Sequence, residues 1–167
     1  DRVASIEMFE AVGERFWPTY FDKLRSSLKP GGTAGMQVIT INDAGFDAYR
    51  RRPDFIQRYI FPGGELDYIG LTVTNLERLG FEVHDVENMR EHYQKTCEAW
   101  ADRLWENRAE AVKEVGEART RMWLAYLAGT VMAFKRLNLN DFQTLASKRR
   151  LGSAGLPLDR RWMIDGG

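Results

Sequence analysis

Two carboxylates three residues apart, Glu7 and Glu10, stand in the segment SIEMFEAVG, Ser5 to Gly13, among Ile6, Met8 and Phe9. Carboxylates can orient a polar ligand, balance a cation or take a proton. These two fall just beyond the carboxyl end of a short run, Arg2 to Ile6, that reads as a strand. In layered α/β sheets ligands bind beyond the carboxyl ends of strands, whereas a carboxylate inside the sheet would suffer desolvation. The competing reading is ordinary: both acids are solvated or begin a helix, whose N-terminus favours Asp and Glu. Tyr93 starts a later helix and, taken alone, reads as a packing tyrosine. His84 and His92 are the two histidines; their spacing matches no standard ligand pair, so no metal site is expected. Cys97, the single cysteine, excludes an internal disulfide and a cysteine-based zinc site and suits a reducing cytoplasm. It lies on an amphipathic pattern and reads as a small buried hydrophobe rather than a nucleophile.

The elements that must position these groups come from a chain of 167 residues, enough for one domain with a real core. The composition is globular, 44% hydrophobic and 29% charged, with 24 basic and 24 acidic residues and no net charge. A nucleic-acid binder usually shows a basic excess, and here only SKRR, Ser147 to Arg150, is locally basic. The run DRVASIEMFE has no signal-peptide pattern. No stretch of eighteen apolar residues exists, so no membrane span is expected.

Along the chain, strand and helix patterns alternate. After the first strand, FWPTYFDKLRSSLKPGG reads as a helix, with Pro18 in its first turn. Phe21, Leu24 and Leu28 lie on one face, and Pro30-Gly31-Gly32 forms the stop. GMQVITI, Gly35 to Ile41, is β-branched and short, a central strand. A helix is expected near 46–60, closed by FPGG, and another within YIGLTVTNLERLG, ending at Gly80. FEVHDVENM alternates as a strand through Phe81, Val83 and Val86. Two long helices are expected near 91–108 and 117–136. The second, with MWLAYLAGTVMAF, is apolar almost all round and reads as a buried core helix. DFQTLASK is a last strand, and residues 151–167 read as an irregular tail. The expected class is α/β, with about four strands.

This sequence resembles the cyclopropane fatty acid synthase family of S-adenosylmethionine-dependent methyltransferases. The resemblance runs over residues 1–150 through MFEAVG, MQVITI, FIQRYIFPGG, HYQKTCEAWADRL, RMWLAYLAGTVMAF and FQTLASKR, and their order makes it specific. It implies the C-terminal part of a Rossmann-like class I methyltransferase fold, strands four to seven of the order 3-2-1-4-5-7-6 with the seventh antiparallel. The family's Gly-rich cofactor loop has no counterpart here, since PGGTAG follows a helix and opens a strand. The expectation is therefore a partial catalytic domain over 1–150 whose N-terminal cofactor-loop half is missing. An unpaired first-strand edge would make it oligomeric, as in a homodimer, or aggregation-prone until that half is supplied.

The resemblance also implies chemistry: methyl(ene) transfer from S-adenosylmethionine to the cis double bond of an unsaturated phospholipid acyl chain, with bound bicarbonate as the base. Carried over residue by residue, Glu10 and Tyr93 are the catalytic, bicarbonate-binding pair. Gln37 falls where some members have a histidine; it can donate and accept hydrogen bonds but cannot titrate. Ile39 matches a backbone contact to the bicarbonate. A family cysteine near the anion has no counterpart, and Cys97 does not match it. Glu7 is a candidate for the cofactor side. Tyr59 and Phe61 either line a lipid channel or are core residues, and the dense aromatics Phe16, Trp17, Tyr20 and Phe21 usually mean core. SKRR either touches anionic headgroups at the inner face of the membrane or is simply solvated. The expected setting is cytoplasmic and peripheral to the membrane. The alternative function is a non-catalytic module of this fold that binds lipid or a partner chain.

Overall fold

A computed structural model describes residues 1–164. Four strands form one sheet in the order β1-β2-β4-β3: β1 (Arg2–Ile6), β2 (Thr33–Ile41), β3 (Phe81–Asn88) and β4 (Leu139–Lys148). β1 and β2 are parallel, and β4 runs antiparallel between β2 and β3. These are the order and directions expected for strands four to seven. β1 has a strand neighbour on one side only among the described residues.

One face of the sheet carries the main core. Along β2, Ala34, Met36, Val38 and Thr40 are buried in strict alternation. Helix α1 (Trp17–Ser26) lays Trp17, Phe21 and Leu24 into the same cluster, and helix α4 (Ile69–Arg78) adds Leu76. Phe9, in a 3-10 turn Phe9–Ala11, anchors the segment after β1: its ring packs 5.2 Å from Trp17, 4.9 Å from Tyr20 and 5.2 Å from Phe21. Tyr20 also shares a 2.6 Å hydrogen bond with Ser5 Oγ on β1. Of the dense aromatics, only Phe16 stays exposed. The alternation of β3 hides a bulge between Val83 and Asp85. The extra residue keeps Phe81, Val83 and Val86 opposite Lys148, Ala146 and Thr144, all on one face despite their uneven spacing.

The helices depart from expectation in three places. The helix expected near 46–60 is two short ones, α2 (Asp43–Tyr49) and α3 (Phe55–Tyr59). Pro53 disfavours helical geometry at Arg52, and Asp54 then starts α3 with a capping box to Gln57. Between the long helices α5 (Arg90–Glu106) and α7 (Glu117–Lys135) lies an unforeseen helix, α6 (Arg108–Val115). It ends at Gly116, whose φ of 83° suits glycine. Helix α7 is not buried all round: Thr120, Leu127, Thr130 and Phe134 form one buried stripe, while Met132 is exposed. It packs against α5, α6 and β4. In the tail, α8 (Arg161–Ile164) is a single helical turn, and residues 165–167 lie outside the described part.

Phe9 joins the core to the segment that carries Glu10. Phe9→Ala is expected to destabilise the chain by about 3–5 kcal/mol, read by urea unfolding. A loss below about 1 kcal/mol would mean that this ring does not anchor the segment.

Candidate active site

β2 is longer than β1, and the site is built where β1 stops. The last parallel contacts pair Ile6 with Gln37, and the Glu7 N–H donates to the Gln37 carbonyl at 2.9 Å. Further along the same edge, Ile39 N–H would lack an acceptor. Glu10 Oε1 accepts it at 2.6 Å, and the next such group, Ile41 N–H, donates to the Asp67 carbonyl at 2.9 Å. Glu10 itself is held by its backbone: its carbonyl accepts Glu65 N–H at 2.8 Å, and Glu65 also accepts the Glu14 N–H. The FPGG turn makes this docking possible. A Cβ on Gly64 would lie 3.1 Å from the Phe61 carbonyl and 3.7 Å from that of Glu10.

A second network crosses the other face of β2. Tyr93, in the first turn of α5, donates its hydroxyl to Glu7 Oε1. Gln37 Nε2 donates to Tyr93 Oη at 2.6 Å and to Glu7 Oε1 at 3.2 Å. Its orientation is set by Gln143 on β4, directly opposite, whose Nε2 donates to Gln37 Oε1 at 2.8 Å. Glu7 adopts a left-handed backbone, φ 47°, uncommon for a residue with a side chain. Thus Glu7, Gln37 and Tyr93 form one hydrogen-bonded unit, and Glu10 and Ile39 form another at the same strand ends. Glu7 is bonded to Tyr93 and Gln37, so its carboxylate belongs to the Gln37–Tyr93 unit.

Two further carboxyls carry no motif and escaped the reading of the sequence. Asp67 is fully buried, accepts Thr72 Oγ1 at Oδ2 and has no partner at Oδ1. Asp141, opposite Ile39 on β4, is fully buried and has no partner at either oxygen. Glu10 Oε2 is also buried without a partner. Burial is the main force raising the pKa of every member. It lifts Glu7 and Glu10 above the usual carboxylate range, against the hydrogen bonds from Gln37 and Ile39. It pushes Asp67 up to about 7, helped by the charge of Glu10. It pushes Asp141 up to about 7, helped by Glu7 and then Glu10. The arrangement offers several acceptors and keeps protons on some of them near neutrality.

The remaining candidates lie elsewhere. Phe61 packs edge-on against Trp123 and Tyr126 of α7, and Tyr59 against Phe55; all but Trp123 and Tyr126 are exposed. Cys97 is buried, and burial first, then Glu7 and Glu98, push its thiol up to about 11, where it is no thiolate near neutral pH. His84 shares a 2.8 Å hydrogen bond with Ser147. Among the described residues no group of His, Cys, Asp and Glu is arranged to hold a metal ion. No helix there is long and apolar enough to cross a membrane.

Comparison with known proteins decides the family. The model of the family described as mycolic acid cyclopropane synthetase matches residues 1–144. The chain belongs to this family. Among curated relatives, it is 37% identical over 163 residues to a probable fatty acid methyltransferase of Mycobacterium tuberculosis, covering 97% of the chain and 38% of the relative. It is 37% identical to a probable fatty acid methyltransferase of Pseudomonas putida, covering 89% and 38%. It is 36% identical to a tuberculostearic acid methyltransferase of M. tuberculosis, covering 86% and 34%. A mycolic acid cyclopropane synthase structure, complexed with S-adenosylhomocysteine and CTAB, superposes with a TM-score of 0.81 at 26% identity, covering 89% of this chain and 55% of that one. The chain thus spans about a third to a half of the length of these relatives. Its sheet is part of the Rossmann-like fold of S-adenosylmethionine-dependent methyltransferases.

The raised carboxyls make stability depend on pH. Asp67 and Asp141 keep their protons in the folded chain after the unfolded chain has released them. Their contribution is therefore full below the ordinary value of 3.8 and is lost as the pH rises through about 7. Unfolding temperature should fall across that window, and the double variant D67N/D141N should flatten the decline. A decline unchanged in the double variant would mean that these two groups do not cause it.

Proposed function

We propose that this chain is the lipid-facing half of an S-adenosylmethionine-dependent fatty acid methyltransferase of the cyclopropane synthase type. Its substrate is the cis double bond of an unsaturated phospholipid acyl chain. The observation that carries this reading is the pairing of two networks at the ends of β1 and β2: Glu10 on Ile39 N–H, and Glu7 with Tyr93 and Gln37.

In this reaction the alkene attacks the sulfonium methyl. A new carbon–carbon bond forms, S-adenosylhomocysteine leaves with the electron pair of the broken carbon–sulfur bond, and a carbocation remains on the acyl chain. Loss of a proton from the transferred methyl closes a three-membered ring; loss from a neighbouring chain carbon leaves a methyl-branched alkene. The ionised forms of Glu7 and Glu10 favour the cation electrostatically. One feature suits a small oxyanion that carries its own O–H: Glu10 Oε2 is a buried acceptor without a partner, on a carboxylate fixed through Oε1 by the Ile39 N–H. Bicarbonate, when bound there, supplies a base for the departing proton. Gln37, in place of a titrating histidine, orients Tyr93 and cannot itself take that proton.

S-adenosylmethionine needs groups beyond these residues, because no Gly-rich strand–loop–helix occurs in the chain. The N-terminal half of the same enzyme is the partner assigned that role, with Glu7 at the shared border. Tyr59 and Phe61 are assigned to the acyl-chain side. The enzyme would work in the cytoplasm at the inner face of the membrane; a homodimer through the β1 edge is expected only where that N-terminal half does not cover it.

The test supplies the complete gene product with methyl-labelled S-adenosylmethionine and vesicles of dioleoyl phosphatidylglycerol. Acyl chains should gain one CH₂, and Glu10→Gln, which keeps an acceptor for Ile39 N–H but removes the charge, should lower turnover about 100-fold. No labelled lipid would favour a non-catalytic module instead, and labelled lipid from an unaffected Glu10→Gln enzyme would contradict the role given to Glu10.

A further inference from the structure

Asp141 is a costly choice for its position. The interior of a strand disfavours aspartate, and a buried carboxyl with no hydrogen-bond partner is destabilising. A leucine or valine would fill the same place without that cost. Yet Asp141 is fully buried with both oxygens unpartnered, and its backbone is fixed on the open side by the 2.7 Å bond from Met89 N–H to its carbonyl.

Its register places it at the site. Residues directly opposite in an antiparallel pair share a face. Gln37 and Gln143 are such a pair, and their side chains bond to each other. The next pair on that face is Ile39 with Asp141. Asp141 is therefore beside the residue whose N–H holds Glu10, on the face that carries Glu7, Gln37 and Tyr93.

Most donors at this site are already committed. Gln37 Nε2 has two hydrogens, one directed to Tyr93 Oη and one to Glu7. The single hydroxyl hydrogen of Tyr93 goes to Glu7, and Ile39 N–H goes to Glu10. Gln143 gives a hydrogen to Gln37. An oxyanion entering here meets acceptors in surplus and few free donors, the second hydrogen of Gln143 Nε2 among them.

We propose that Asp141 is a positioning residue of this site, its carboxyl donating a hydrogen bond to the small oxyanion held beside Glu10 and Tyr93. This rests on the function proposed above. Burial and the charges of Glu7 and Glu10 keep a proton on Asp141 near neutral pH, so the carboxyl has the O–H that the role requires. It supplies the donor that Gln37, fully engaged by Tyr93 and Glu7, does not.

The test uses Asp141→Leu and Asp141→Asn in the complete gene product, with two readouts. Thermal unfolding without ligands measures what the buried carboxyl does to the fold, and methyl transfer over a range of bicarbonate concentrations measures its role. Asp141→Leu should unfold at a higher temperature than the wild type, yet lose about 100-fold in methyl transfer and need more bicarbonate. Asp141→Asn, whose amide still donates, should keep activity within about tenfold of the wild type. The proposal is overturned if Asp141→Leu unfolds at a lower temperature, if it keeps wild-type activity and bicarbonate requirement, or if Asp141→Asn is as impaired as Asp141→Leu. A wild-type protein that transfers no methyl group contradicts the parent function instead. Even then, a lower unfolding temperature for Asp141→Leu overturns the role given to Asp141.

Discussion

The site depends on one mismatch of lengths. β1 ends at Ile6 while its parallel partner β2 continues to Ile41, so the edge of β2 presents N–H groups that no strand can meet. A buried amide without an acceptor is destabilising. The chain answers with a turn that folds back along the edge and places the Glu10 carboxylate on Ile39 N–H, then with the Asp67 carbonyl on Ile41 N–H. Glu10 thus does structural and electrostatic work with the same atoms. Its position follows from backbone hydrogen bonding, and Phe9, the residue before it, ties the turn to the core.

The second consequence is electrostatic. Glu7, Glu10, Asp67 and Asp141 gather around one strand end, and no Lys or Arg among the described residues forms a salt bridge with any of them. Hydrogen bonds from Ile39 N–H, Gln37 and Tyr93 replace the missing cations for Glu7 and Glu10. Asp67 has only the Thr72 hydroxyl and Asp141 has no donor, and both retain protons instead. A region of this kind favours positive charge in a reacting species while keeping O–H groups available, a combination suited to chemistry that passes through a carbocation.

Much of this was legible along the chain. β2 announced itself through β-branched alternation and α1 through the spacing of Phe21, Leu24 and Leu28, because both patterns are local and one-sided. The order of the strands came from the resemblance, since local patterning does not specify which strands pair. What failed to show was set by local interruptions or distant partners. Pro53 and Asp54 divide one apparent helix into two. The bulge at Val83–Asp85 makes an irregular apolar spacing face one way. Helix α7 is apolar on more sides than its neighbours cover. Gln143 and Asp141 carry no motif; they matter because β4 returns antiparallel beside β2, more than a hundred residues after Gln37, and sets them opposite Gln37 and Ile39. Asp67 likewise gains its place only when its loop closes against Ile41.

The claim on which all of this stands is the hydrogen bond from Ile39 N–H to an ionised Glu10. The complete gene product, labelled with nitrogen-15 isoleucine and assigned through Ile39→Val, tests it by NMR. A short charge-assisted bond predicts an Ile39 amide resonance well downfield, protected from hydrogen exchange, whose shift follows the titration of a carboxyl raised above the usual range. An Ile39 amide at an ordinary shift, exchanging freely and insensitive to pH, would contradict the account.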